Sequence, residues 1–74
     1  MTEQSVANKR AVTVNGSRES IEAETVAELV EVRALNAGGL AVALNGRVVP
    51  RAAWPTTRLA EGDTVEIVRA MQGG

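Results

Sequence analysis

No cysteine and no histidine occur in the 74 residues, and the only aromatic side chain is Trp54. The missing cysteines exclude a disulfide framework, a thiolate nucleophile, a persulfide and a redox pair. The missing histidines remove the usual general base near neutral pH. With both gone, a structural zinc has no donors of the ordinary kind. Nine Asp and Glu residues remain, but they stand singly or beside basic residues and suggest no paired acid and base. The chain is therefore expected to carry no catalytic residues, no metal and no bound cofactor. It would enter a reaction as a substrate or carrier, not as an enzyme.

Net charge is −1, which leaves no electrostatic footprint for nucleic acid, and a single tryptophan cannot build a stacking platform. The longest clean apolar run, Leu40 to Leu44, falls far short of the roughly 20 residues that cross a bilayer. Residues 1–10 are polar, without the apolar stretch of a signal peptide. These features predict a cytoplasmic protein with neither nucleic acid nor membrane as partner. A chain this short is one domain and buries only about 60% of the surface its unfolded form exposes. Its stability must come from an apolar core, and a hydrophobic content of 45%, almost all aliphatic, can supply one.

The chain divides into an N-terminal arm over 1–10, a folded domain over 11–70 and a flexible tail over 71–74. Structure is expected to begin at Ala11-Val12-Thr13-Val14 and to turn at Asn15-Gly16, since Asn-Gly tolerates positive φ at both central turn positions. A return strand follows over Arg18 to Glu22, with Ile21 as its clear core residue. Thr25-Val26-Ala27-Glu28 matches a capping box, the Thr25 hydroxyl accepting from the Glu28 N–H and the Glu28 carboxylate reaching back to that of Thr25. The helix is predicted from Val26 to Leu35, burying Val26, Leu29, Val30 and Ala34. Arg33 belongs at the stripe's edge with its stem packed and its head in water; Val32 points away.

Asn36-Ala37-Gly38-Gly39 ends the helix. Leu40 to Leu44 reads as a strand with large residues on one face and Ala41 and Ala43 on the other. Asn45-Gly46 signals a second hairpin leading to Val48-Val49, and Pro50 stops the pairing or marks an edge. Arg51 to Arg58 reads as irregular, with Trp54 plugging the end of the core and its indole N–H near a polar partner. Leu59 anchors a turn through Gly62-Asp63. The last strand, Thr64 to Ala70, puts Val65 and Ile67 on one face and Glu66, Val68 and Ala70 on the other. The order predicts an α+β fold, a mixed sheet with one main helix on one face. If the final strand pairs in parallel with the first, the fold is a β-grasp; alternation alone does not decide that pairing.

The chain ends in Met71-Gln72-Gly73-Gly74. Two glycines remove every side chain near the last carboxylate, so it fits a slot that rejects any Cβ. At ordinary glycine usage such a pair arises by chance in roughly one chain in 200, so its weight rests on what precedes it. What precedes it resembles the ThiS family, the sulfur carriers of thiamin biosynthesis, in four segments. These are Val12 to Gly16, Thr25 to Leu29, Val42 to Arg51 and Gly62 to Gly74; the similarity runs from about Val12 to the end and leaves only the arm outside.

The resemblance implies a ubiquitin-like β-grasp and a carrier function. It implies that a ubiquitin-activating-type adenylyltransferase uses ATP and Mg to adenylate the carboxylate of Gly74. A persulfide donor, a cysteine desulfurase or sulfurtransferase, then makes it a thiocarboxylate, and thiazole synthase receives the sulfur. By position, Gly74 bears the acyl group, Gly73 gives a slim approach, and Gln72 and Met71 fill the entrance of the partner's channel or serve as plain spacers. Val68 and Ala70, joined by Ala41 and Ala43 if those strands are neighbours, offer a docking surface; the alternative is a set of small residues that water tolerates. Arg69 is a cation for an acidic groove or an ordinary solvated charge. Rival functions are a molybdopterin synthase small subunit, a ubiquitin-type protein modifier, and a β-grasp interaction domain with a frayed end. The first typically carries aromatic and proline residues before its glycines, and Glu66 to Gln72 has neither. A hairpin-built DNA-binding protein is disfavoured by the charge balance.

Overall fold

The computed structural model describes residues 9–33 and 39–69. Both Asn-Gly pairs form the turns their chemistry favours. Asn15 and Gly16 have φ of 51° and 85°, and Asn45 and Gly46 have 52° and 86°. Two successive positive φ values give a turn whose twist matches that of the flanking strands. The first turn joins β1 (Arg10–Val14) to β2 (Ser17–Ile21), and the second joins β3 (Leu40–Leu44) to β4 (Arg47–Val49). Val14 pairs with Ser17 and Leu44 with Arg47, so each turn fixes its register with no residue to spare.

Between the hairpins lies helix α1, Val26–Val32. Thr25 caps it, its hydroxyl accepting from the Glu28 N–H at 3.2 Å. The reciprocal arm of the capping box is displaced by one residue. The Glu28 carboxylate accepts from the N–H of Glu24 at 2.8 Å, not from that of Thr25. Val26, Leu29 and Val30 are buried as their spacing predicts. The helix ends at Val32, short of Leu35. Its last buried residue is Val30, and Arg33 has already left helical geometry at φ −84° and ψ 0°. Ala34 and Leu35 lie outside the described residues.

Arg33 also departs from expectation. Its head is not free in water: the side chain stays about one-third exposed, and the guanidinium grips both carboxylate oxygens of Glu19, on β2, at 2.6 and 2.7 Å. The pair ties the end of the helix to the edge of the sheet. The segment after Pro50 is more regular than its composition suggests: Arg51–Thr56 is a 3-10 helix. Proline at 50 sets the entry, and the Ala53 N–H closes the first turn on the Pro50 carbonyl at 2.8 Å. Thr57 then closes the end, its hydroxyl donating to the Ala53 carbonyl at 2.7 Å. Trp54 is buried in this segment, and its indole N–H donates to the Val49 carbonyl at 2.9 Å.

The last strand, β5 (Thr64–Arg69), enters the sheet between the hairpins, giving the order β2-β1-β5-β3-β4. It runs parallel to β1, with Thr13 opposite Thr64 and Val14 opposite Val65, and antiparallel to β3 from Leu40–Arg69 to Leu44–Val65. This mixed sheet with one main helix is the ubiquitin-like β-grasp. One face of the sheet meets α1 in a single core. Val12, Val14, Val42, Val65 and Ile67 pack with Val26, Leu29 and Val30, and Trp54 and Leu59 belong to the same cluster. Val65 and Val26 have no exposed surface at all.

Candidate functional site

The central strand is held at two points by the asparagines of the hairpin turns. The Asn15 side chain accepts from the Ile67 N–H at 2.8 Å and donates to the Ile67 carbonyl at 3.0 Å. Thus it stands in for the backbone of a longer β1, which ends at Val14. Asn45 acts from the β3–β4 turn, accepting from the Thr64 N–H at 2.9 Å and donating to the Asp63 carboxylate at 3.0 Å. Asp63 also caps its own turn by accepting from the Ala60 N–H at 2.8 Å. Asn-Gly was legible as turn chemistry, but these two reaches to β5 were not. They join residues 52 and 19 positions apart, and nothing local marks them.

The face of the sheet away from α1 is open. Register places Val68 beside Ala41, and Glu66 beside Ala43, whose other neighbour is Val48 on β4. Val68 is 58% exposed and Val48 75% exposed. With Ala41, Ala43, Val42 and Glu66 they line a shallow depression of about 120 Å³. The strand pattern anticipates Val68, Ala41 and Ala43 there. Val48 is missed, although the two-residue turn at Asn45-Gly46 fixes it opposite Ala43 once the hairpin is drawn.

Arg69 does not share this face. It lines a second, polar cleft of about 400 Å³ on the helix side, with Val14, Asn15, Glu19, Arg33, Leu40 and Ile67. Within that cleft the Arg33 Nε has no hydrogen-bond partner. Strand alternation explains the split, since residues 68 and 69 must point to opposite faces. Val68 and Arg69 therefore belong to different surfaces at the end of the same strand. Ala70, Met71, Gln72, Gly73 and Gly74 lie outside the described residues.

Among the described residues no cluster of three or more Asp and Glu is placed to hold a metal ion. Nor, among them, is any helix long and apolar enough to cross a membrane. The arrangement presents a thin apolar surface and a braced central strand whose next five residues are the last of the sequence.

Known proteins share both the fold and the sequence. The chain is 36% identical over 63 residues to the sulfur carrier protein ThiS of Thermus thermophilus, a match covering 85% of this chain and 98% of the relative. It superposes on the crystal structure of the thiamine biosynthesis protein ThiS from Geobacter metallireducens with a TM-score of 0.75 and 37% identity, covering 86% of this chain and 99% of the other. An NMR solution structure of a thiamine biosynthesis protein from Geobacter metallireducens gives a TM-score of 0.69 and 32% identity, over 86% and 87% of the two chains. The family model for ThiS matches residues 7–74, a span that takes in the folded domain and both terminal glycines. By sequence, by fold and by that span, the chain belongs to the ThiS family.

Proposed function

We propose that this protein is the sulfur carrier for thiamin thiazole synthesis and that the carboxylate of Gly74 carries the sulfur. A carboxylate is a poor acyl donor because its oxygen is a poor leaving group. A ubiquitin-activating-type adenylyltransferase, using ATP and Mg, joins the Gly74 carboxylate to the α-phosphate and releases pyrophosphate. The terminal sulfur of a partner's persulfide, on a cysteine desulfurase or sulfurtransferase, then attacks the carbonyl carbon and AMP leaves. A thiol takes the donor's sulfur as a disulfide and frees the thiocarboxylate, from which thiazole synthase draws its sulfur. The reading sets these steps in the cytoplasm.

The division of labour follows from composition. With no Cys or His of its own, this chain supplies only the acyl group and leaves nucleophile, base and metal to its partners. Gly73 gives the carboxylate a slim approach, and Gln72 and Met71 occupy the mouth of the partner's channel. Val68 and Ala70, with Val48, Ala41 and Ala43, form the surface on which the activating enzyme seats. Arg69, on the opposite face, is the cation beside the tail. An exposed apolar patch is how such docking surfaces commonly announce themselves.

The observation that carries this reading is the family match over residues 7–74, a span that includes Gly73 and Gly74. The test is intact mass spectrometry after incubation with an activating enzyme, ATP, Mg and a persulfide donor. A species heavier by one oxygen-to-sulfur exchange, mapped to Gly74, is expected. Unmodified protein from a demonstrably active enzyme set refutes the reading, and an adduct linked to a lysine of another protein replaces it with a conjugation function.

A further inference from the structure

An activated acyl group reacts with amines as well as with sulfur, which makes the cations of this chain informative. Of its eight basic residues seven are arginine, and Lys9 is the one lysine. A guanidinium stays protonated below about pH 12 and is no acyl acceptor, whereas an ε-amine is one whenever it loses its proton. Three arginines have contacts that suit a guanidinium. Arg33 grips Glu19 with two bonds, Arg10 donates to the Ala23 carbonyl at 2.7 Å, and Arg51 lies 5.6 Å from the Trp54 ring centre. The side chains of Arg18, Arg47, Arg58 and Arg69 make no such contact among the described residues; of these four only Arg69, which is exposed, lines the cleft at the end of β5, and as a simple charge a lysine would serve equally there.

Position sharpens the contrast. Arg33 and Arg69 line the cleft at the end of β5, next to the start of the tail. Lys9 sits at the other end of the sheet, 4.0 Å from the Glu22 carboxylate. Thr13 is paired with Thr64, so Lys9 and Arg69 are separated by nine residues of parallel strand, about 30 Å. The five residues after Arg69 span at most about 18 Å, and an extended lysine side chain adds about 6 Å. The tail therefore cannot reach the lysine of its own chain.

We propose that Arg69 is a specificity-determining residue: it supplies positive charge at the base of the tail without offering the activated Gly74 carbonyl an amine. With the lone lysine held at the far end of the sheet, the acyl group meets no side-chain amine of its own molecule. This rests on the carrier reading above. The reaction being avoided is simple aminolysis. A free ε-amine adds to the Gly74 carbonyl carbon, a C–N bond forms, and the C–O bond to AMP breaks. AMP departs and the amine proton passes to solvent.

The experiment dispenses with the activating enzyme, so its outcome is separable from that of the mass-spectrometric test of carrier function. The full chain is prepared as a Gly74 thioester by intein fusion, in wild type, Arg69→Lys and Arg69→Gln forms, and followed at mildly alkaline pH by intact mass and fragmentation. Wild type and Arg69→Gln are expected to hydrolyse to the free acid. Arg69→Lys is expected to give an internal amide at position 69, lighter than the free acid by one water. A short tether holds its ends at millimolar effective concentration, so this product should exceed the wild-type background of amide at least about tenfold. Hydrolysis of Arg69→Lys at the wild-type rate with no internal amide overturns the proposal. So does a wild-type chain that acylates its own Lys9 as readily as the variant acylates position 69.

Discussion

Replacing Asn15 by glycine isolates the brace on the central strand. Glycine accepts the φ of 51° at this position, so the turn is kept and only the side chain is lost. Two hydrogen bonds disappear, those at 2.8 and 3.0 Å to the Ile67 backbone. Each such bond contributes about 1 kcal/mol net. Ile67 is 8% exposed but borders the polar cleft, so water can replace part of what is lost. The extra freedom of glycine in the unfolded chain adds about 0.5 kcal/mol to the cost. The expected destabilisation is about 2 kcal/mol, read as a lower urea midpoint with unchanged slope. In a domain of this size that corresponds to a fall in Tm of about 8–16 °C. Hydrogen exchange at the Ile67 amide should accelerate more than at Val65, which lies within both ladders, opposite Val14 and Leu44. Asn45→Gly is the control: its bonds are exposed, so its cost should stay under about 1 kcal/mol. A cost for Asn15→Gly below about 0.5 kcal/mol, or one matched by Asn45→Gly, would refute the claim that Asn15 extends the ladder.

Four further outcomes are expected. Trp54→Phe removes the buried bond to the Val49 carbonyl and should cost about 1–3 kcal/mol in chemical denaturation, followed by circular dichroism because the sole tryptophan is gone. Val68→Asp changes an exposed position; unfolding free energy should move by less than about 0.5 kcal/mol, while kcat/KM for ATP-dependent activation should fall at least about tenfold as a charge enters the proposed docking surface. A double-mutant cycle on Glu19 and Arg33, both about one-third exposed, should return a coupling below about 1 kcal/mol that weakens with salt. Deleting Gly74 should abolish thiocarboxylate formation in the mass assay and leave the thermal unfolding curve in place.

What the sequence discloses here is mainly what neighbours in the chain decide together. Asn15-Gly16 and Asn45-Gly46 announce both hairpins, and Thr25 followed by Glu28 announces the helix start, because turn and cap chemistry is complete within four residues. The parallel pairing of β5 with β1 is a different matter. Val65 and Ile67 alternate with Glu66 and Val68 whether the partner runs parallel or antiparallel, so the pattern is blind to direction. The grip of Arg33 on Glu19 is equally hidden, since it depends on where the end of a helix falls relative to β2. The 3-10 helix at Arg51–Thr56 escapes because its bonds come from the Pro50 carbonyl and the hydroxyls of Thr56 and Thr57, with no apolar period to betray it. The candidate site divides along the same line. Val68 and Ala41 are readable as outward-facing residues, whereas the separation of Arg69 from them and the addition of Val48 require the assembled sheet.

The position of β5 has a mechanical consequence. An enzyme that draws the last residues into a channel pulls along the axis of this strand, and Arg69 is where that pull enters the fold. Because β5 has β3 on one side and β1 on the other, the load falls on both ladders in shear, many hydrogen bonds sharing it at once. An edge strand pulled outward would instead unzip one bond at a time. On the proposed carrier function, the domain would be handled by its tail through repeated rounds of loading and release without being peeled open.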